Sequence, residues 1–138
     1  MDFQVRGLTE DDYDNLLVHW WKDWGWVAPP RDFLPENGTG GIMVHKGGVD
    51  ICAGFIYATN SSVALTEFVI SDKNYKESDR SEAIQFLIDC VLVMIKDMGY
   101  KYGHVILKNK SLLKKYKESG YVVSDDNVTE MICQHSPQ

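Results

Sequence analysis

The chain is poor in the residues that anchor most metal and covalent chemistries. Its 138 residues hold three cysteines and four histidines. Cys52, Cys90 and Cys133 stand in apolar contexts, odd in number and without CxxC spacing. They read as reduced core residues of an intracellular protein, not as a disulfide frame or a zinc site. His19, His45, His104 and His135 are scattered without metal-ligand spacing, and no Ser/His/Asp or Cys/His signature surrounds any cysteine. Neither a metal centre nor a covalent mechanism is therefore expected. Long apolar runs are missing too. The longest, residues 86–98, is cut by Asp89, Lys96 and Asp97 and is too short to span a bilayer. Asp2 and the acidic cluster at 10–14 leave no basic-then-apolar leader. We expect a soluble, cytoplasmic protein with no membrane partner. Excess positive charge is also lacking: the net charge of −6 argues against a nucleic-acid partner held by phosphate neutralisation. No repeat, low-complexity tract or linker appears, so residues 1–138 are expected to form one domain with one core.

What is present is unevenly distributed. Residues 1–70 carry ten acidic and four basic side chains, whereas residues 71–138 carry ten of each. Lys108, Lys110, Lys114, Lys115 and Lys117 gather around one short helical pattern. An acidic half beside a lysine-studded helix suits a cationic acceptor and an anionic cofactor, though solvated surface charge is the plainer reading of any one residue.

The pattern of elements is mixed. Residues 3–6 alternate as a short strand. Thr9 and Asp12 then have capping-box spacing ahead of an apolar stripe at Tyr13, Leu16, Leu17, Trp20 and Trp21, with Gly25 as its stop. Residues 27–40, with Pro29, Pro30 and Pro35, read as a loop holding at most one helical turn. Residues 42–45 and 49–59 read as strands joined at Gly47-Gly48. Residues 63–71 form a further long strand with two apolar faces, one carrying Ala64, Thr66, Phe68 and Ile70, the other Val63, Leu65 and Val69. A helix over 82–98 follows, capped by Asp79 and Glu82, stopped by Gly99, and presenting Ile84, Leu87, Ile88, Val91, Ile95 and Met98 to a sheet. A strand over 102–107 completes a parallel crossover. Two short strand-like runs, 121–123 and 128–133, close a mixed α/β (α+β) sheet.

One stretch is sharper. Residues 109–121 run from Asn109 through an amphipathic helix with Tyr116 in its last turn to a Gly120-Tyr121 exit. Following an apolar run at 102–107, this order and spacing resemble the C-terminal half of the GCN5-related N-acetyltransferase superfamily, with Leu112 in place of the small residue often found three after the Asn. The resemblance implies that superfamily's acyl-CoA N-acyltransferase fold and an acetyl-CoA co-substrate. It places the pantetheine arm along Val69 and Ile70, whose N–H groups would stabilise developing negative charge, with Asn109 nearby. It places the pyrophosphate at residues 76–82, where the family's glycines are absent. There Lys76, Ser78, Asp79, Arg80 and Ser81 would take their place, or form a plain helix cap. Asn109 also suffices as a cap alone.

The resemblance further implies that Tyr116 protonates a departing thiolate; otherwise it packs beside Leu112 and Leu113. Glu67, the one charge inside its strand, is a general-base candidate or an ion-pair partner of a residue such as Arg6. Trp20, Trp21, Trp24 and Trp26 crowd the segment that covers the acceptor in the family. Trp21, Trp24 and Trp26 with Asp32 would bind a cationic or flat acceptor, while two of the four indoles are expected in the core. The implied activity is direct acetyl transfer to a primary amine of a small molecule or peptide, by a monomer or homodimer. A longer acyl group, or a binding module of the same fold that has lost the cofactor, remains open.

Overall fold

A computed structural model describes residues 2–136. Five strands form one sheet in the order β1 (Gln4–Gly7), β2 (Gly41–Lys46), β3 (Val49–Tyr57), β4 (Val63–Ser71) and β5 (Tyr102–His104). The first four pair antiparallel with one another, and β5 runs parallel to β4. The β2–β3 turn is made by Gly47 and Gly48, both at positive φ, as a primed hairpin turn requires. Between β4 and β5 runs the long helix α2 (Glu77–Asp97), stopped at Gly99 with φ +96°. No helix among the described residues is long and apolar enough to cross a membrane.

Two apolar layers hold the sheet. On one face Ile84, Leu87, Ile88, Val91 and Ile95 of α2 pack on Ile42, Val44 and Ala64. On the other, Leu17, Trp20, Trp21 and Leu34 cover Met43, Ala53, Phe55 and Ile70. Fully burying one such side chain contributes roughly 1.5–3 kcal/mol. The covering segment begins with a π-helical stretch (Tyr13–Leu17) that runs into α1 (Val18–Asp23), and the 27–40 loop carries two short 3-10 turns.

Asp12 is buried at the mouth of that segment. Its carboxylate takes both arms of the Arg6 guanidinium at 2.8 and 2.9 Å and the Thr9 N–H at 2.7 Å. Burial pushes the Asp12 carboxyl up, but the Arg6 and Thr9 bonds outweigh it and leave it below the ordinary value. A lowered folded-state value stabilises the fold above the unfolded carboxyl's range and is lost as pH falls through the folded value. Asp12→Asn is therefore expected to cost on the order of 2 kcal/mol at pH 7. In urea unfolding the gap from the wild type should narrow in strong acid; a gap of constant size would show that the ion pair contributes nothing.

Several expectations need correction. The α2 helix starts at Glu77, so Asp79 and Glu82 lie inside its first turns and form no capping box. Asp79 instead accepts from Lys46 Nζ at 3.0 Å and Tyr75 Oη at 2.9 Å. Met98, just beyond the helix, is exposed. The β5 strand ends at His104, and residues 121–123 and 128–133 form no strand. Cys133 is exposed, whereas Cys52 is buried and Cys90 is half-buried.

The two apolar faces of β4 also exchange partway along it. Ala64 packs against the α2 layer, but Phe68 and Ile70 face the opposite layer while Val69 turns to α2. The cause is a bulge. Ile70 pairs with Ala53 and Glu67 with Phe55, so Phe68 and Val69 together oppose Gly54 alone. Phe68 sits at φ +59°, a conformation that a bulky side chain adopts only under constraint.

Candidate functional site

The site arises where β4 and β5 part. Their pairing stops at Leu65 and His104. Two residues later the N–H of Ile106 donates to Glu67 Oε1 at 3.0 Å instead of to a strand carbonyl. Beyond that point the β4 edge has no strand beside it among the described residues. Glu67 thus wedges the two strands apart and is not paired with Arg6, which Asp12 and Asp50 engage.

The opening leads into a cavity of about 260 Å³. Val69, Ile70 and Ser71 of β4 form one wall. The first turns of α2 contribute Glu77, Arg80 and Ser81. A third side comes from Asn109, Ser111 and Lys115, leading into and along α3 (Leu113–Glu118). Lys115 Nζ donates to Ser81 Oγ at 2.6 Å, and Gln85 of α2 donates to the Lys115 carbonyl at 3.0 Å. Asn109 accepts from the Ser111 N–H at 3.0 Å, a cap for the 3-10 turn Lys110–Leu112. Arg80 donates to the carbonyls of Lys73 and Tyr75, both at 2.9 Å, which ties down the chain entering α2.

Residues 76–82 are therefore not a loop but the cap and opening turns of a 21-residue helix. Of the residues proposed to hold a cofactor, Val69, Ile70, Arg80, Ser81 and Asn109 line the cavity. Lys76, Ser78 and Asp79 do not. Lys115, Ser111 and Glu77 join them; the i, i+4 spacing of Ser111 and Lys115 is the signal that would have found the first two.

Beside the cavity, a void of about 10 Å³ is bounded by Glu67, Thr66, Val69, Tyr116 and Tyr121. It is about the size of one water. Burial pushes the Glu67 carboxyl above its ordinary value, and the Ile106 N–H draws it partly back. Burial likewise raises the Tyr116 phenol, with Tyr121 and Glu67 adding to the effect. The hydroxyl of Tyr116 has no hydrogen-bond partner among the described residues, although the residue is only 3% exposed. Its ring meets Tyr121 edge-on at 5.0 Å, and Tyr121 Oη shares a hydrogen bond with Thr66 at 2.8 Å. That pairing fixes α3 against β4, and nothing in the sequence pattern indicated it.

The tryptophans divide. Trp20 and Trp21 are buried under the sheet, so Trp21 cannot meet an acceptor from there. Asp32 is exposed on a 3-10 turn and borders neither space. Trp24 and Trp26 border the larger cavity, on the same side as the residues expected to hold a cofactor. Trp24 Nε1 donates to the Ser71 carbonyl at 2.8 Å.

The donor set fits an anionic molecule. Arg80 and Lys115 outnumber the one acid, Glu77, and the start of a long helix adds N–H groups that lack helical acceptors.

No protein-family model matches the sequence, and no curated protein matches it. Its structure is similar to several solved ones. A GNAT family acetyltransferase from Staphylococcus aureus is 13% identical, with a TM-score of 0.60 over 96% of this chain and 100% of that one. The ribosomal-protein-S18-alanine N-acetyltransferase of Escherichia coli is also 13% identical, with a TM-score of 0.65 over 86% and 77%. An aminoglycoside acetyltransferase from an uncultured soil metagenomic sample is 11% identical, with a TM-score of 0.65 over 96% and 97%. At these identities the likeness is one of architecture, and the chain has the GCN5-related N-acetyltransferase fold.

Proposed function

We propose that the chain is an N-acetyltransferase, a single acyltransferase-like domain that moves an acetyl group directly from acetyl-CoA to a primary amine of a small molecule or peptide. The observation that carries this reading is the juxtaposition at the β4–β5 opening. A cation-lined cavity of about 260 Å³ shares Val69 with the small void that Glu67 and Tyr116, the two groups able to move protons there, help to bound. Solved structures of the same fold include complexes of an N-acetylglutamate synthase with coenzyme A and of an aminoglycoside acetyltransferase with a CoA bisubstrate analogue.

When bound, acetyl-CoA supplies the acetyl group as an activated thioester. Arg80, Lys115 and Ser81 would hold its pyrophosphate, and the backbone at Val69 and Ile70, with Asn109, its pantetheine arm. The Glu67 carboxylate accepts a proton from the incoming amine. Its raised pKa makes it a stronger base than an ordinary carboxylate once ionised. The Tyr116 hydroxyl gives a proton to the sulfur that leaves; its burial keeps the phenol protonated at neutral pH.

Binding is the test. At a hundredfold excess over its dissociation constant, acetyl-CoA should stabilise the wild type by about 2.7 kcal/mol, which is roughly 5–10 °C in Tm. Arg80→Glu melts lower by itself, since Arg80 also holds Lys73 and Tyr75, so the quantity to compare is the increment on adding ligand. That increment should vanish in Arg80→Glu and persist in Tyr116→Phe. No increment in the wild type would retire the enzyme reading and leave a binding module of the same fold.

A further inference from the structure

We infer that Trp26, backed by Trp24, is the stacking platform for the adenine of the acyl donor. This assignment rests on the reading above but places both indoles on the donor's side and not the acceptor's. Trp24 and Trp26 lie nearly parallel, 13° apart with ring centroids at 5.4 Å. The inner indole is fixed. Its Nε1–H is spent on the Ser71 carbonyl, and the cationic groups of Arg80 and Lys73 stand 5.3 and 5.4 Å from its ring centre. The outer indole is held by its backbone, whose N–H donates to the Trp21 carbonyl at 2.9 Å. Its side chain stays 43% exposed at the cavity rim. A flat face stacked on Trp24, at the rim of a cavity that Arg80 and Lys115 also line, matches a purine that carries phosphates. Stacking supplies affinity for the base and the cations supply affinity for its charge. Such a platform adds affinity that a helix start without glycines lacks. The remaining length of the donor would then run inward along Val69 and Ile70.

The test uses the whole chain and the two halves of coenzyme A, adenosine 3′,5′-bisphosphate and 4′-phosphopantetheine, with indole fluorescence and calorimetry as readouts. Adenosine bisphosphate should bind the wild type and quench its emission, because an adenine stacked on an indole quenches it. Trp26→Ala should lose that quenching and weaken both adenosine bisphosphate and acetyl-CoA by roughly tenfold to a hundredfold, the usual worth of one base–aromatic stack. Binding of 4′-phosphopantetheine should be unchanged. Trp26→Phe should restore most of the affinity, which a purely structural role at this exposed position would not require. If Trp26→Ala binds acetyl-CoA as tightly as the wild type, the platform is refuted and the acetyltransferase reading stands. If the wild type binds acetyl-CoA but gives no quenching with adenosine bisphosphate, the assignment is equally refuted. If it binds neither, both fall together.

Discussion

Glu67→Gln should lower amine acetylation by roughly two to four orders of magnitude while raising thermal stability. The two effects share one cause. The Glu67 carboxyl is half-buried where β4 and β5 part, and burial holds its pKa above the ordinary value despite the Ile106 N–H. An acid whose folded-state pKa is raised costs no stability while both states are protonated. The cost begins as pH rises past the unfolded value and is complete above the folded one. Above the folded value the wild type therefore carries that cost in full. Gln keeps an oxygen to accept from Ile106 N–H and removes the charge, so the wedge survives and the penalty goes. The wild-type rate should climb with pH through the raised pKa of Glu67, and the variant should lose that limb. Melting curves and pH–rate profiles of the two proteins check both halves. A variant that is less stable, or that keeps the acidic limb, would remove Glu67 from the role of base.

Gly41→Ala should be the most damaging single methyl in the chain. Gly41 pairs with Phe55, and a Cβ placed on it would overlap the carbonyl oxygen of Gly54 and crowd the Phe55 Cα. These are backbone atoms and cannot rotate away as a side-chain tip would. The β2–β3 ladder must shift, and Gly54 is the residue that opposes Phe68 and Val69 across the bulge. We expect a loss of about 3 kcal/mol, near the upper end for overpacking, or roughly 10 °C in Tm. The same substitution at Gly48, where nothing lies within 4 Å of the added carbon, is strained only by its φ of +79° and should cost less. Comparing the two by urea unfolding separates the clash from the backbone preference. Equal losses would show that the β2–β3 contact yields without cost.

The sequence made some of this legible and hid the rest for physical reasons. The hairpin at Gly47-Gly48, the strand over 63–71, the buried stripe of α2 and the stops at Gly25, Gly99 and Gly120 were readable because each depends on local periodicity or a positive φ. Asn109, Tyr116 and Gly120 were readable through their spacing. Hidden features are those that depend on two distant segments. Asp79 reads as a helix cap until Lys46, thirty-three residues away, claims it. Trp24 and Trp26 read as an acceptor clamp, and the hydrogen bond from Trp24 to the Ser71 carbonyl, forty-seven residues away, which ties Trp24 to the end of β4, has no local signal. Glu67 reads as a general base or an ion-pair partner of Arg6 until Asp12 and Asp50 claim Arg6 and the chain after β5 delivers the Ile106 N–H. The 128–133 run has strand composition, yet a strand needs a neighbouring edge, and composition cannot say whether one is vacant.

The bulge at Phe68 and Val69 has a consequence for how this chain tolerates change. A strand in regular alternation has one phase, whereas β4 has two, joined at a residue held at φ +59°. Exchanging side chains on either half leaves both phases in place. Deleting a single residue between Glu67 and Ile70 does not: it would let the pairing with β3 run straight through, turn one half of the strand over and carry Glu67 or Ile70 to the wrong layer. In libraries of variants, this segment should accept many substitutions and almost no change of length. The site is set by how many residues the strand contains, more than by which ones they are.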